Sequence, residues 1–254
     1  MLNVGKYVLA GLALGGAHAR STDIASVANE RMHGHESFVD NDGHGFPDRE
    51  TTWNTFQIQE FAKKYTLVTP TLRGHPPSHV PLEKEDYAAA AYVSDMLAVI
   101  KAVGKGSAVI VGHDVGGLVV QKFASAHSDM LKGLVMAIRN VSAIVQHILN
   151  ETYRDRIADY LHKSPLYGML DFYNENFPAP PYRQNLSTEG LTQSAIIWGE
   201  LDPYFSPAML NGLEAWFDYG IRLVVTPGAG HWSFRDKPTR LNAELKSFLD
   251  FLEY

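Results

Sequence analysis

The segment Ser107-Ala108-Val109-Ile110-Val111-Gly112-His113-Asp114-Val115-Gly116-Gly117-Leu118 sets the fold of this chain. Ser107 to Val111 is a run of strand length with no polar alternation, as a strand covered on both faces requires. A glycine-rich turn, Gly112 to Gly117, follows, and from Leu118 to about Ala126 the apolar residues recur at helical spacing. Asp114 therefore stands at the centre of a small-x-Asp-x-small turn between a buried strand and an apolar helix. Glycines on either side permit a strained turn that lifts the central side chain above a sheet, the spacing of a nucleophile elbow. An isolated aspartate there could equally cap the helix. The buried strand before it and the apolar helix after it make Asp114 a candidate nucleophile.

Outward from this unit, short β-branched runs alternate with helical patterns, which predicts a parallel sheet covered by helices. Strands are predicted at Tyr65 to Pro70, Gly133 to Ile138, Ala195 to Trp198 and Ile221 to Val225. Tyr92, Met96, Val99, Ile100 and Val103 mark a helix lying on the sheet, and Leu241, Leu245, Phe248, Leu249 and Leu252 a closing amphipathic helix. Tyr7 to Leu14 reads as two short strands around Gly11. With Lys6 before it and Ala17-His18-Ala19 after it, the same stretch also has the form of a signal peptide. The strand reading and a cytoplasmic location are preferred, with secretion as the alternative if residues 1–19 are such a leader. Between Ile138 and Ala195 there is no strand pattern, but there are tyrosines and a Phe177-Pro178-Ala179-Pro180-Pro181 loop. The division expected is a core domain of residues 1–138 and 191–254, with an inserted helical cap at 139–190 over the strand ends.

Two further residues fall where a nucleophile at Asp114 needs partners. Asp202 follows the strand ending at Trp198, and His231 follows the strand ending at Val225 within Gly228-Ala229-Gly230-His231-Trp232. All three stand at C-terminal strand ends, where ligands bind in open parallel sheets.

The 22 basic and 28 acidic residues give a formal net charge of -6, with no basic stripe interleaved with aromatics, so a nucleic-acid partner is not expected. No apolar stretch reaches the length that spans a bilayer. The absence of cysteine removes disulfides, a thiolate nucleophile and Cys-ligated zinc. His33, His35, Asp40, Asp42 and His44 match no zinc spacing and read as a polar loop, so no metal is expected. The length, 254 residues, suits one core with a modest insertion, and the oligomeric state is open.

Replacing a nucleophilic serine by aspartate has a chemical consequence. A carboxylate attacking an acyl carbon would form a high-energy anhydride, whereas attack on saturated carbon forms an ordinary ester. Asp114 therefore favours alkylation followed by hydrolysis.

His44-Gly45-Phe46-Pro47-Asp48 with Trp53, Leu72-Arg73-Gly74, Gly112-His113-Asp114-Val115-Gly116-Gly117, and Gly230-His231-Trp232 through Asp236-Lys237-Pro238 together resemble soluble epoxide hydrolases and their dehalogenase relatives. The resemblance covers about residues 40 to 254. It implies an α/β-hydrolase fold, a mostly parallel sheet flanked by helices with a short helical cap, and the triad order Asp, Asp, His. It implies Asp114 as nucleophile, His231 as the base that activates water, Asp202 as the group orienting His231, and the backbone amides of Phe46 and Val115 as an oxyanion hole. No cofactor is implied, and the substrate expected is small and apolar.

The leaving group separates the candidate reactions. An epoxide oxygen needs an acid, and Leu170-Asp171-Phe172-Tyr173-Asn174 resembles the L-N-W-Y-R segment of epoxide hydrolase caps, which puts Tyr173 in the place of a ring-opening tyrosine. For a second such tyrosine Tyr160, Tyr153 and Tyr167 are candidates. Haloalkane dehalogenases commonly bind halide through a Trp after the nucleophile and a polar residue after His-Gly, positions held here by Val115 and Phe46. Haloacetate dehalogenases place arginines just after the nucleophile, where this chain has Val115 and Leu118. An epoxide hydrolase is therefore expected, with a hydrolytic dehalogenase and a non-catalytic binder of small ligands as alternatives. The pattern is broken in two places. Thr71 stands where relatives often have Asp, and the strand expected before His44 reads Ser37-Phe38-Val39-Asp40-Asn41-Asp42-Gly43, too polar for a doubly covered sheet.

Overall fold

The computed structural model describes residues 7–10, 53–76, 78–103, 108–137, 151–177, 193–204 and 207–252. Among these residues six strands form one parallel sheet in the order β2-β1-β3-β4-β5-β6. They are β1 (Tyr7–Ala10), β2 (Thr66–Val68), β3 (Ala108–His113), β4 (Leu131–Ala137), β5 (Ser194–Gly199) and β6 (Ile221–Thr226). The principal helices are α1 (Ala89–Val103), α2 (Val115–Ala126), α3 (Glu151–Lys163), α4 (Leu166–Asn176) and α5 (Pro238–Leu252).

The unbroken apolarity of β3 has a direct structural reason. Alternate side chains of a strand point to opposite faces, and here both faces are covered. Ala108 and Ile110 join Tyr92, Met96 and Ile100 of α1 and Val119, Val120 and Phe123 of α2 in one core cluster. Val109 and Val111 join Leu241, Leu245, Phe248 and Leu249 of α5 in the other. β4 and β5 divide in the same way, with Leu134 and Ile196 on the first face and Val135 and Ile197 on the second. The apolar spacing of α1 and α5 is thus accounted for by the two faces of the sheet.

β1 lies between β2 and β3, with Val8 opposite Leu67 on one side and Val109 on the other. The neighbour of β3 on this side is therefore residues 7–10, whose apolar sequence suits an interior strand. The remainder of the Tyr7 to Leu14 pattern, the polar segment 37–43 and the His33 to His44 cluster lie outside the described residues. So do the expected domain boundaries near 138 and 190. No helix among the described residues is long and apolar enough to cross a membrane.

The strand order places Asp114 at a special point. From β1 the chain crosses to β2 on one side, and from β3 it crosses to β4 on the other, so the connections diverge between the C-terminal ends of β1 and β3. Such a divergence opens a crevice in a parallel sheet. Asp114 has φ 53 and ψ -119 and is the non-glycine residue with positive φ among those described. The turn is tight because α2 starts at once. A Cβ on Gly112 would lie 2.5 Å from the carbonyl oxygen of Gly116 and 2.8 Å from Val120 Cγ2. Gly112→Ala is therefore expected to destabilise the protein by about 1–3 kcal/mol through overpacking. Urea unfolding checks this, and an unchanged midpoint would mean that the turn can open at no cost.

Candidate active site

Three loops at the C-terminal edge of the sheet bring the predicted residues together. The loop after β5 is laced to the loop after β6: Glu200 N–H donates to Thr226 O at 3.1 Å and Leu201 N–H to Ala229 O at 2.8 Å. The two loops approach so closely that a Cβ on Gly199 would collide with the carbonyl of Gly230. The His231 loop has its own anchors. Gly230 N–H donates to Asp236 Oδ2 at 2.8 Å, and His113 Nε2–H donates to the carbonyl of His231 at 3.3 Å. Since His113 precedes Asp114, this bond ties the strand that carries Asp114 to the histidine loop.

The result is an ordered row of charged and polar groups. Asp202 Oδ2 accepts from His231 Nδ1 at 3.0 Å, and Asp202 Oδ1 accepts from Tyr204 N–H at 2.8 Å. Nδ1 therefore carries the proton, and the lone pair of Nε2 faces Asp114 Oδ2 at 3.8 Å. That distance is too long for a hydrogen bond. The side chains of Asp114, His231 and Asp202 are each no more than 2% exposed, so water screens these interactions little. On the other side of the carboxylate, Tyr173 Oη donates to Asp114 Oδ1 at 3.2 Å.

Tyr173 reaches Asp114 because α4 is docked firmly. Phe172, fully buried, meets Tyr92 edge-on with centroids 4.9 Å apart. Asn176 Nδ2–H donates to Tyr87 O at 2.8 Å, and its Oδ1 accepts from Ala89 N–H at 2.8 Å. α3 bridges the site: Tyr160 donates to Pro76 O at 3.1 Å near one end, while Tyr153 lies under the guanidinium of Arg235 at the other. These contacts, with the 45% exposure of Tyr167, give the surroundings of the three other candidate tyrosines. The amide of Val115 is in the first turn of α2, where an N–H has no partner within its own helix. Phe46 lies outside the described residues.

Residues 43–244 match the sequence profile of the alpha/beta hydrolase family. The chain belongs to the alpha/beta hydrolase family. This hydrolase is 28% identical to "Epoxide hydrolase 3" of Xenopus tropicalis, over 82% of this chain and 71% of that one. It is 36% identical to "Epoxide hydrolase 1" of Caenorhabditis elegans, over 82% of this chain and 63% of that one. The crystal structure of Bacillus megaterium epoxide hydrolase in complex with an inhibitor shares the fold, with a TM-score of 0.71 at 21% identity over 82% of this chain and 91% of that one. Among alpha/beta hydrolases the chain is epoxide hydrolase-like.

Two groups near the site have no clear signal in the sequence. Tyr204 stands edge-on to the His231 ring at 5.1 Å and 84°. Burial pushes its hydroxyl up to about 12, and the negative charges of Asp202 and Asp114 act in the same direction. Its proximity to Asp202 in the chain is the one hint. His75 follows the Leu72-Arg73-Gly74 motif and is 1% exposed, with Nδ1–H donating to Arg73 O at 3.3 Å.

Loss of solvation pulls the His75 imidazole down to about 4, and the Arg73 carbonyl and the Asp114 charge only partly oppose this. The folded protein therefore keeps His75 neutral until about pH 4, whereas the unfolded chain protonates it near 6.5. Between these values the unfolded chain binds more protons, so stability from this group is complete above about pH 6.5 and falls as the pH drops toward 4. Urea unfolding of wild type and His75→Gln at pH 7 and pH 4.5 measures it. Wild type should lose about 2 kcal/mol more than the variant, and equal losses would show that His75 titrates normally in the folded protein.

Proposed function

We propose that this hydrolase converts a small apolar epoxide to a vicinal diol through an ester on Asp114. The observation that carries this reading is the placing of one buried carboxylate between a hydroxyl donor, Tyr173, and an imidazole, His231, that Asp202 holds in the basic tautomer. Oδ1 of Asp114 attacks an epoxide carbon, the carbon–oxygen bond of the ring breaks, and the released oxygen takes the proton of Tyr173. Nε2 of His231 then deprotonates water, which attacks the carboxyl carbon of the ester. The amide of Val115, with that of Phe46, holds the oxyanion. Collapse expels the diol, whose departing oxygen receives the proton from His231. The second proton of the water returns to the Tyr173 phenolate as Asp114 regains its charge. Residues 139–190 serve as the cap that brings Tyr173 to the substrate.

The distance of 3.8 Å from His231 to Asp114 supports this division of labour. A serine nucleophile must give its proton to the histidine and so needs a hydrogen bond to it. A carboxylate has no proton to lose, and the gap leaves room for the histidine to serve water in the second step.

The two steps can be separated. In His231→Gln alkylation should proceed and hydrolysis stall, so intact-protein mass spectrometry after incubation with styrene oxide should show one added substrate mass, located by proteolysis on the peptide containing Asp114. A folded, substrate-binding His231→Gln that stays unmodified would overturn the covalent mechanism. Asp114→Ala should abolish turnover, and activity within tenfold of wild type would remove Asp114 from its role. Tyr173→Phe should slow ester formation by about ten to a thousandfold, the scale of one general-acid contact, and leave ester hydrolysis nearly unchanged. An unaltered rate of ester formation in single turnover would reduce Tyr173 to a packing residue.

A further inference from the structure

Among the described residues no hydrogen bond to Nε2 holds the imidazole of His231 in line with Asp114. Its one ring hydrogen bond among those residues is from Nδ1 to Asp202, which restrains χ1 and χ2 only in part, and a tilt of the ring would move Nε2 away from the carboxylate. The bond from His113 reaches the His231 carbonyl and fixes the backbone rather than the ring. Packing therefore completes the setting of the ring plane. Among the described residues three aromatic rings flank it: His113 at 4.7 Å and 55°, Trp232 at 5.0 Å and 89°, and Tyr204 at 5.1 Å and 84°. His113 and Trp232 are buried core residues with 0% and 3% exposure. Tyr204 differs from both. It is half-buried on the loop after β5, packs against the edge of the core cluster containing Trp53, Tyr153 and Ile157, and its own amide fixes Oδ1 of Asp202.

We infer that Tyr204 is a positioning residue for the hydrolytic half-reaction. Its amide turns Asp202 so that Oδ2 meets His231, and the edge of its ring holds the imidazole plane that directs Nε2 toward the ester on Asp114. The inference rests on the covalent reading above and extends it to a residue outside the Asp114, His231, Asp202 row. Edge-on aromatic contacts are individually small, but a reacting group misplaced by about 1 Å can lose on the order of a hundredfold in rate. The backbone N–H is kept in Tyr204→Leu and Tyr204→Phe, so these variants report on the side chain. Alkylation needs no base, so the ring should matter in one step and not in the other.

The test compares Tyr204→Leu and Tyr204→Phe with wild type in rapid-quench single turnovers of styrene oxide, following formation and decay of the protein ester by mass spectrometry, with circular dichroism to compare folding. His231→Gln is run alongside. The Leu variant should form the ester within about threefold of the wild-type rate and hydrolyse it about ten to a hundredfold more slowly, so that ester accumulates. The Phe variant, which keeps the ring, should hydrolyse it within about threefold of wild type. Unchanged hydrolysis in the Leu variant, or equal slowing of both steps, would overturn the inference. A Phe variant as slow as the Leu variant would also overturn it, because the hydroxyl and not the ring would then be acting. If His231→Gln accumulates ester and Tyr204→Leu does not, the role of Tyr204 fails alone. If neither does, the covalent reading has failed and the role of Tyr204 fails with it.

Discussion

The backbone of Asp114, held at a φ of 53, is the constraint on which the rest of this structure depends. A non-glycine residue in that region costs on the order of 1–3 kcal/mol and persists only where its surroundings leave no alternative. Here β3 is registered to β1 on one side and β4 on the other, buried on both faces, and followed immediately by α2. The chain must reverse direction within one residue, and the small residues at 112 and 116 are what let it do so. The reversal lifts a carboxylate out of the sheet at the point where the crossover connections diverge. Every other group at the site is arranged around an atom pair whose position is fixed by this turn.

Backbone lacing supplies the next layer. Asp202 and His231 belong to neighbouring strands, but neighbouring strands do not by themselves bring two side chains into contact. The hydrogen bonds from the β5 loop to Thr226 and Ala229, and the close approach at Gly199, draw the two loops into one unit. On the opposite side the Arg73–Asp95 pair, with hydrogen bonds of 2.6 and 2.7 Å, and the bond from Arg73 to Asp86 O pin the 73–87 segment to α1. Tyr160 docks on Pro76 of that segment and Asn176 on its end at Tyr87. Removing one member of a buried ion pair typically costs about 3–5 kcal/mol, so the arginine of the Leu72-Arg73-Gly74 motif acts as a foundation for α3 and α4. Its link to Asp114 runs through their docking and not through direct contact.

What could be read in the sequence follows from these causes. Ser107 to Ala126 was legible because a doubly covered strand needs unbroken apolarity and a sharp turn needs glycine, both of which are residue-type requirements. Asp202 and His231 were legible as strand-end residues, whereas their approach depends on backbone contacts that leave little mark on side-chain identity. Tyr7 to Ala10 could be recognised as a strand, yet its place beside β3 could not, since its partners are about sixty and a hundred residues away. Beyond its place two residues after Asp202, Tyr204 gave no signal, because a tyrosine after a proline in a loop is common and its contact with the His231 ring is made in space. The tyrosines at 153, 160 and 167 were equivalent as sequence and distinct only once docking assigned each a different neighbour.

The two oxygens of Asp114 face different parts of the protein. Oδ1 meets Tyr173 on α4, and Oδ2 faces His231 on the loop after β6. In the proposed reaction ring opening draws on Tyr173 of α4 and ester hydrolysis on His231, so the two half-reactions use different parts of the protein, which meet again where Tyr153 of α3 lies under Arg235. α4 can then change to suit a new substrate without disturbing His231, because His231 is anchored to Asp202, His113 and Asp236 within the sheet's own loops. The converse also holds. A substitution in the His231 loop leaves the hydroxyl of Tyr173 where α4 puts it. Asp114 is thus where a hydroxyl carried by α4 meets an imidazole carried by the core, and in the proposed reaction that separation is a physical reason for one fold to retain its hydrolytic chemistry while its substrates diverge.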